Sequence, residues 1–230
     1  MDEYGEIYCS VEKWCSLVNK LTNRQRKRLG GTGLRKMLLI PSVQMRKCLL
    51  KFIIKTYDAT RKTFVMRPKN GDLTLHANDI FHIFGLENKG KDVMKVLGKV
   101  GDDAKERVPS RFLDTRNGEI VKDELIQHIV TSGAYDDDFV RRAVLVLLGT
   151  VIAPHSTKHV PHNFYKLVEH VDVIKSYNWN SFTLRVCITG ITKTVKDLSQ
   201  FRWPVGNLAL IQVNQNCKLC LCNNISLLLR

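Results

Sequence analysis

One largely apolar run in the second half of the chain restricts the fold more than any other feature. Residues 143–153 read AVLVLLGTVIA, and Pro154 follows them directly. The run is about half as long as the ~20 residues that span a bilayer, and proline cannot continue a helix because it has no N–H to donate. The pattern therefore predicts a helix over 137–153 that is buried in a protein core, and it predicts a chain without membrane contact.

Shorter amphipathic stretches supply packing partners for such a helix. Apolar residues at helical spacing predict helices over 12–21, 23–29, 42–57, 78–84, 92–100, 122–131 and 179–191, with short pieces at 164–168 and 171–177. Thr22 and Gln25 have the spacing of a capping box. Gly30 is expected to end the second helix in the left-handed conformation, and Pro41 to occupy the first turn of the third.

A strong turn signal lies between two short β-prone stretches. Residues 63–66 (TFVM) and 73–75 (LTL) flank the sequence PKNGD, and Asn-Gly is a favoured hairpin turn. The predicted fold class is therefore mainly α, a multi-helix globular domain with one small β hairpin near residues 62–75. The polar stretch 101–118 is an expected surface loop or internal linker.

Basic residues are concentrated in the first third of the chain. The formal net charge is +14, and residues 1–70 hold 16 Lys and Arg against 5 Asp and Glu. This distribution raises the expectation of an anionic partner, of which nucleic acid is the commonest; a solvated, lysine-rich surface is the alternative. The candidates for nucleic-acid binding or nuclear import are Arg24, Arg26, Lys27, Arg28, Arg35 and Lys36.

The basic run leads directly into a glycine-rich turn, reading RQRKRLGGTGL over 24–34. The turn is not a P-loop, because no Gly-Lys-Ser/Thr closes it. It is not a dinucleotide-binding fingerprint either, because a helix and not a strand is predicted before it. A helix stop followed by a tight turn is the favoured interpretation, and no cofactor is predicted.

Three clusters offer metal-ligand chemistry, and each has a simpler interpretation. An acidic triplet over 136–138 begins a predicted helix, where carboxylates cap free N–H groups, although it also suits a divalent cation. The other two clusters are His155, His159 and His162, and Cys217, Cys220 and Cys222. The histidines lack a nearby cysteine pair and the cysteines lack a fourth ligand, so no metal site is predicted.

The seven cysteines are odd in number and irregular in spacing, and the first residues carry no secretory signal. Both observations indicate a reducing, intracellular compartment. Cys9, Cys15, Cys48 and Cys187 have apolar neighbours, which favours core thiols over a catalytic nucleophile. No catalytic residue is predicted, and no small-molecule substrate is evident.

Six short motifs occur in an order that is more specific than any one of them. They lie at 29–34 (LGGTGL), 56–64 (TYDATRKTF), 71–86 (GDLTLHANDIFHIFGL), 153–156 (APHS), 172–182 (DVIKSYNWNSF) and 206–212 (GNLALIQ). This order resembles the plant mobile domain family, often labelled "aminotransferase-like", over residues 22–212. Residues 1–21 are then an N-terminal extension, and 213–230 a C-terminal tail unrelated to the family.

The resemblance implies a transposon-derived origin and a nuclear location. It implies a non-enzymatic module that interacts with proteins or nucleic acid and is connected with transposon silencing, genome stability or development. The family label leaves an uncharacterised hydrolase or transferase as an alternative, and the unrelated tail leaves a truncated transposon remnant. The sequence departs from the family pattern at Thr32, at His76, where a Thr cap is expected, and at Asn180, where a Cys is usual.

Overall fold

The apolar run at 143–153 forms the centre of the core. In a computed structural model that describes residues 6–66, 71–98 and 105–214, every residue of the run is buried. The helix Asp137–Leu147 carries its first part and a single π-helical segment, Leu148–Ile152, carries nearly all of the rest. The buried helix predicted from the run is therefore confirmed.

The fold is mainly α, as predicted, and its strands are only two residues long. The helices are α1 (Val11–Lys20), α2 (Asn23–Leu29), α3 (Lys47–Lys55), α4 (Ala77–Phe84), α5 (Val93–Leu97), α6 (Lys122–Ser132), α7 (Asp137–Leu147), α8 (Trp179–Lys196) and α9 (208–214). The strands are β1 (Tyr57–Asp58), β2 (Thr63–Phe64), β3 (Ile120–Val121) and β4 (His159–Val160). Short 3-10 helices lie at Arg35–Leu38, Ser110–Phe112, His162–Leu167 and Val171–Ser176.

The other elements are arranged around α7. Helices α2 and α6 pack against α7 itself, while α1, α8 and β4 contact the π-helical segment that follows it. Helices α3, α4 and α5 pack against α8. The burial of apolar side chains between these elements is the main favourable contribution to folding. Within the described residues, no helix is long and apolar enough to cross a membrane.

The N-terminal segment contributes to this core. Trp14 of α1 is fully buried, and its indole Nε1 donates to Met37 O at 2.7 Å. Just before α1, the amide of Ser10 donates to Thr150 O at 2.8 Å. The described part of 1–21 is therefore packed against both the glycine-rich turn region and the π-helical segment. Of the tail predicted over 213–230, all but the first two residues lie outside the described residues.

The capping predictions are confirmed at two helices. Thr22 Oγ1 accepts from Gln25 N, and Gln25 Oε1 accepts from Thr22 N at 2.9 Å, which completes the capping box of α2. The Asp136 carboxylate accepts from Phe139 N at 2.8 Å and caps α7. Both caps satisfy amide groups that the first helical turn leaves without a partner.

The prediction that Gly30 ends α2 in the left-handed conformation is wrong. Gly30 is right-handed (φ −60°, ψ −28°), and the chain continues through a π-helical turn, Gly30–Leu34. The left-handed residue is Gly33, at φ 82°. One further turn is needed because it carries Leu34 into the core, where only 1% of its surface is exposed.

The third helix is shorter than predicted. It begins at Lys47, and residues 40–46, including Pro41, are not helical. The buried side chain of Gln212 in α9 explains the difference. Its Oε1 accepts from Arg46 N and its Nε2 donates to Gln44 O, both at 2.8 Å. These bonds hold the chain in an extended form that the local sequence does not encode.

The strand predicted at 63–66 pairs on both sides. Phe64 exchanges two backbone hydrogen bonds with Leu73, as the predicted hairpin requires, and β2 also pairs antiparallel with β1. The predicted turn between residues 63–66 and 73–75, at 68–72, lies mostly outside the described residues. A second antiparallel pair, β3 with β4, joins segments far apart in sequence and was not predicted. The predicted loop over 101–118 contains, in its described part, a 3-10 helix at Ser110–Phe112.

Candidate nucleic-acid interface

The glycine-rich turn is held against a distant part of the chain. At Gly33, a Cβ atom would lie 3.4–3.5 Å from the Cβ and Cα of Lys175. The positive φ of Gly33, 82°, favours glycine, and the separation itself is an ordinary van der Waals contact. The turn therefore rests on the 3-10 helix Val171–Ser176, which places Lys175 in the same concave region as Arg35 and Lys36.

A first concave region, the α2 cleft, lies between α2 and the 3-10 helix that follows the glycine turn. Its volume is about 520 Å³. Its lining comprises Arg26, Lys27, Gly30, Gly31, Arg35, Leu38 and Leu39. No carboxylate belongs to this lining, and Leu39 is 75% exposed at its edge. The cleft thus combines a cationic wall with exposed main chain and one exposed apolar side chain.

A second concave region, the Gly33 cleft, lies on the other side of Arg35. It has a volume of about 340 Å³, and its basic residues are Arg35, Lys36, Lys89 and Lys175. Glu87 is the carboxylate in the lining, and it forms an ion pair with Lys89. The hydrogen bond from Lys89 lowers the pKa of Glu87, with a smaller contribution from the charge of Lys36.

Four of the six predicted residues already have partners within the fold. The guanidinium of Arg24 lies 5.7 Å from the centre of the Tyr135 ring, and the Lys36 ammonium lies 4.7 Å from that of Phe81. Arg26 donates to the carbonyls of Val18 and Leu21 at the end of α1, and Arg28 pairs with Asp137. These contacts give Arg26 and Arg28 structural roles.

The remaining two, Lys27 and Arg35, are exposed, and the described residues offer them no hydrogen bond or ion pair. The structure adds Lys89 and Lys175, which the sequence did not single out. Lys175 belongs to the motif DVIKSYNWNSF, but only the contact with Gly33 shows that it lies near the glycine turn. We call the surface formed by the two clefts the basic face. It holds six basic residues and one carboxylate.

The acidic triplet at the start of α7 is occupied by protein groups. Asp136 caps the helix, Asp137 pairs with Arg28, and Asp138 pairs with Arg111 and Arg141. Hydrogen bonds from the two arginines lower the pKa of Asp138, with Arg111 the larger cause. Structural capping, the favoured interpretation, is thus seen directly at Asp136.

The predicted histidine cluster is divided between separate contacts. His155 Nδ1 lies 2.7 Å from Ala153 O, and burial lowers the pKa of this imidazole. His162 Nε2 lies 2.9 Å from Gly118 O and 3.6 Å from the Glu119 carboxylate. In the described ranges, no three His, Cys, Asp or Glu side chains come together as a metal site would need. The three C-terminal cysteines lie outside those ranges.

The four described cysteines differ in how deeply they are buried. Cys9 and Cys187 are buried core thiols, as predicted, and both contact Asn207, at 3.7 Å and 3.4 Å. Burial raises the pKa of Cys9 to about 11, and it raises that of Cys187 further. Cys15 is half-buried. The core prediction is wrong for Cys48, because its position on α3 faces solvent.

Lys122 is a buried cation that the sequence did not reveal. Only 1% of its surface is exposed, and its Nζ donates to Ser156 O at 2.6 Å and Gly149 O at 3.1 Å. Burial lowers the pKa of Lys122 to about 8, with a further reduction from Lys13. The two carbonyls compensate the buried charge and tie α6 to the segment after α7. This lysine serves the fold.

One family model matches most of the chain. A family model described as "Domain of unknown function (DUF8566)" matches residues 7–212. The chain belongs to this family. The DUF8566 region begins before α1 and ends in α9, so it includes α1, both clefts and Gln212. No curated protein and no solved structure matches the chain.

Proposed function

We propose that this DUF8566 domain is a non-enzymatic module that binds nucleic acid through its basic face. The observation that carries the proposal is the position of Arg35, which lines both clefts and joins them into one cationic surface. Six basic residues against one carboxylate is the charge pattern that a phosphate backbone requires. Among the described residues, Lys27 and Arg35 have no hydrogen-bond or ion-pair partner that they would have to give up on binding a phosphate.

The cations of the basic run have different roles in this proposal. Arg26 bonds to carbonyls at the end of α1, and Arg28 forms a surface ion pair with Asp137, so both charges add to the local potential while they are engaged within the fold. Lys27, Arg35 and Lys175 supply direct phosphate contacts, and the glycine main chain allows close approach of a backbone. The surface is cationic and lacks a row of exposed aromatic side chains among its lining residues, so binding is expected to depend more on phosphates than on base identity.

The cellular setting follows from the motif resemblance. We take the module to be nuclear and transposon-derived, in keeping with the order of the six motifs and the basic run of α2. A fluorescently tagged chain should accumulate in the nucleus, and exclusion from the nucleus would contradict this part of the proposal. The hydrolase or transferase alternative and the transposon remnant stay predictions; a cooperative thermal melt of the purified chain would argue against the remnant.

A salt titration of oligonucleotide binding tests the function. Fluorescence anisotropy with labelled double-stranded DNA, single-stranded DNA and single-stranded RNA should give affinities that fall linearly, on a logarithmic scale, with log salt concentration. The double variant Lys27→Ala/Arg35→Ala should bind more weakly. Its slope on duplex DNA should be smaller by about 2, because each phosphate that the protein neutralises contributes roughly 0.9 to the slope.

The matched control removes the same charges elsewhere. Lys158→Ala/Arg116→Ala deletes one exposed lysine and one exposed arginine outside both clefts. This control should keep nearly the wild-type affinity and slope. Equal reductions in the two double variants would mean that only net charge matters, and no binding of any oligonucleotide at low salt would remove the proposed function.

A further inference from the structure

Helix α8 presents one long, partly exposed face, although Leu184 and Ile188 on it also pack against the core. Every third or fourth residue from Ser181 to Lys196 lines a groove with a volume of about 620 Å³, which residues 74–75 and Lys62 close on the other side. The α8 part of the groove is about 22 Å long, at roughly 1.5 Å per residue. We call this surface the α8 groove.

The α8 groove has an apolar floor and a cationic rim. Leu75, Leu184 and Ile188 form the apolar part, with threonine hydroxyls between them. The basic residues along it are Lys62, Arg185, Lys193 and Lys196. No Asp or Glu belongs to the lining. Arg185 reaches Asp92 outside the groove at 3.4 Å, so this part of the rim already accommodates a carboxylate.

We propose that the α8 groove binds an acidic amphipathic helix of a partner protein. Apolar side chains of that helix, spaced by three or four residues, would cover Leu184 and Ile188, as in other helix-in-groove complexes. Carboxylates flanking its apolar stripe would lie opposite Lys193, Lys196 and Lys62. The charge complementarity is the reason to choose an acidic occupant, because like charges across an interface are costly.

The groove differs from the basic face in composition and position. Its floor is apolar, whereas nucleic acid is held mainly by phosphate contacts. No residue lines both the groove and either cleft. The inference therefore does not depend on nucleic-acid binding, and each can fail while the other stands.

A synthetic helix provides the probe. The peptide has about four turns, with leucine at every third or fourth position, glutamate on both flanks of the leucines and a fluorescent label. One control peptide has lysine in place of glutamate, and another has the same composition in shuffled order. With the full-length chain, anisotropy should show saturable binding of the acidic helix only. Side-chain methyl NMR should place the shifts at Leu184 and Ile188 and leave Leu39 unchanged.

Three variants make the test specific. Ile188→Glu places a charge on the floor and should weaken binding of the acidic helix about tenfold or more, as expected for a central apolar contact. Ile188→Leu keeps the floor apolar and should retain the affinity. Lys193→Glu/Lys196→Glu should reduce binding of the acidic helix and improve that of the lysine peptide. Circular dichroism melts confirm that each variant is folded.

Several outcomes would overturn the inference. These are an absence of saturable binding, an Ile188→Glu chain that binds as wild type does, or loss of oligonucleotide binding in the same variant. NOEs from the Leu184 and Ile188 methyls to residues 215–230 in the free chain would assign the groove to the chain's own C-terminal end, and would equally overturn it.

Discussion

Asn180 shows how a single buried amide can connect two helices. Its Nδ2 donates to Ala77 O at 2.8 Å and to Leu86 O at 2.7 Å, so one side chain of α8 contacts the chain at the start of α4 and just after its end. The side chain is fully buried. A donor is required here because both partners are carbonyls, and a buried carbonyl without a donor is costly.

Substitutions at Asn180 should therefore differ in a defined order. Asn180→Ala removes two buried hydrogen bonds and should lower the free energy of unfolding by about 1–3 kcal/mol. Asn180→Asp has nearly the same shape but brings a carboxylate against the two carbonyl oxygens, so it should be less stable than the alanine variant at pH 7. Urea unfolding measures both. An aspartate variant as stable as wild type would contradict the role of the amide donors.

Lys122 gives the protein a pH dependence whose sign follows from its lowered pKa. The pKa is about 8 in the folded chain against 10.5 for an unperturbed lysine. Between these values the unfolded chain binds more protons, so stability rises with pH. Relative to Lys122→Met, the wild type should gain up to about 3 kcal/mol from pH 8 to pH 10.5.

Reversible urea unfolding of both chains across that range measures the effect of Lys122. Cys9 acts in the opposite direction, because its pKa is raised and the unfolded chain loses the thiol proton first as the pH rises. Cys9 is present in both chains, so its contribution largely cancels in the difference. A difference between the chains that stays constant with pH would contradict the lowered pKa of Lys122.

At the scale of elements, the boundary of α3 depends on a residue in α9. The apolar stripe over 42–57 predicts a helix throughout, and local propensity gives no reason for the helix to begin only at Lys47. The side chain of Gln212 favours the extended form over the helix because it supplies both a donor and an acceptor to the main chain around residue 45. Such a contact joins residues that are far apart in the chain, and no local pattern contains it.

Removal of that contact should release the segment before α3. Gln212→Leu preserves the side-chain volume approximately but leaves the Arg46 amide and the Gln44 carbonyl without partners, and it should cost about 1–3 kcal/mol. Amide hydrogen exchange at Arg46 should become faster than in wild type. Gln200→Leu, an exposed glutamine changed in the same way, is the control. Unchanged exchange at Arg46 in the Gln212 variant would show that other contacts hold the segment.

At the scale of the whole molecule, the sequence predicted what depends on local patterns. The apolar run, the helical stripes and the cap at Thr22 were sufficient for a mainly α fold around α7. The pairing of β3 with β4, the burial of Lys122 and the approach of Lys175 to Gly33 were not predicted. Each of these brings together residues that are distant in sequence, and their spacing along the chain carries no such information.

The basic face also depends on contacts between distant residues that the sequence pattern does not reveal. The basic residues between 24 and 36 include Lys27 and Arg35 among six candidates, but no local pattern distinguishes these two from the other four. Only the fold shows that Arg26 bonds to the carbonyls of α1 and that Arg28 pairs with Asp137. Lys175, the one cation of the face from the second half of the chain, completes the face because the 3-10 helix that carries it packs against the glycine turn.

The two surfaces should act independently when both are occupied. The basic face and the α8 groove share no lining residue, and physiological salt screens interactions between exposed charges over a length of roughly 8 Å. An oligonucleotide and the acidic helix should therefore bind one chain together, each with an affinity within about twofold of its value alone. Anisotropy of the labelled helix, measured with and without saturating unlabelled oligonucleotide, tests this. Displacement of the helix by the oligonucleotide would contradict independent binding.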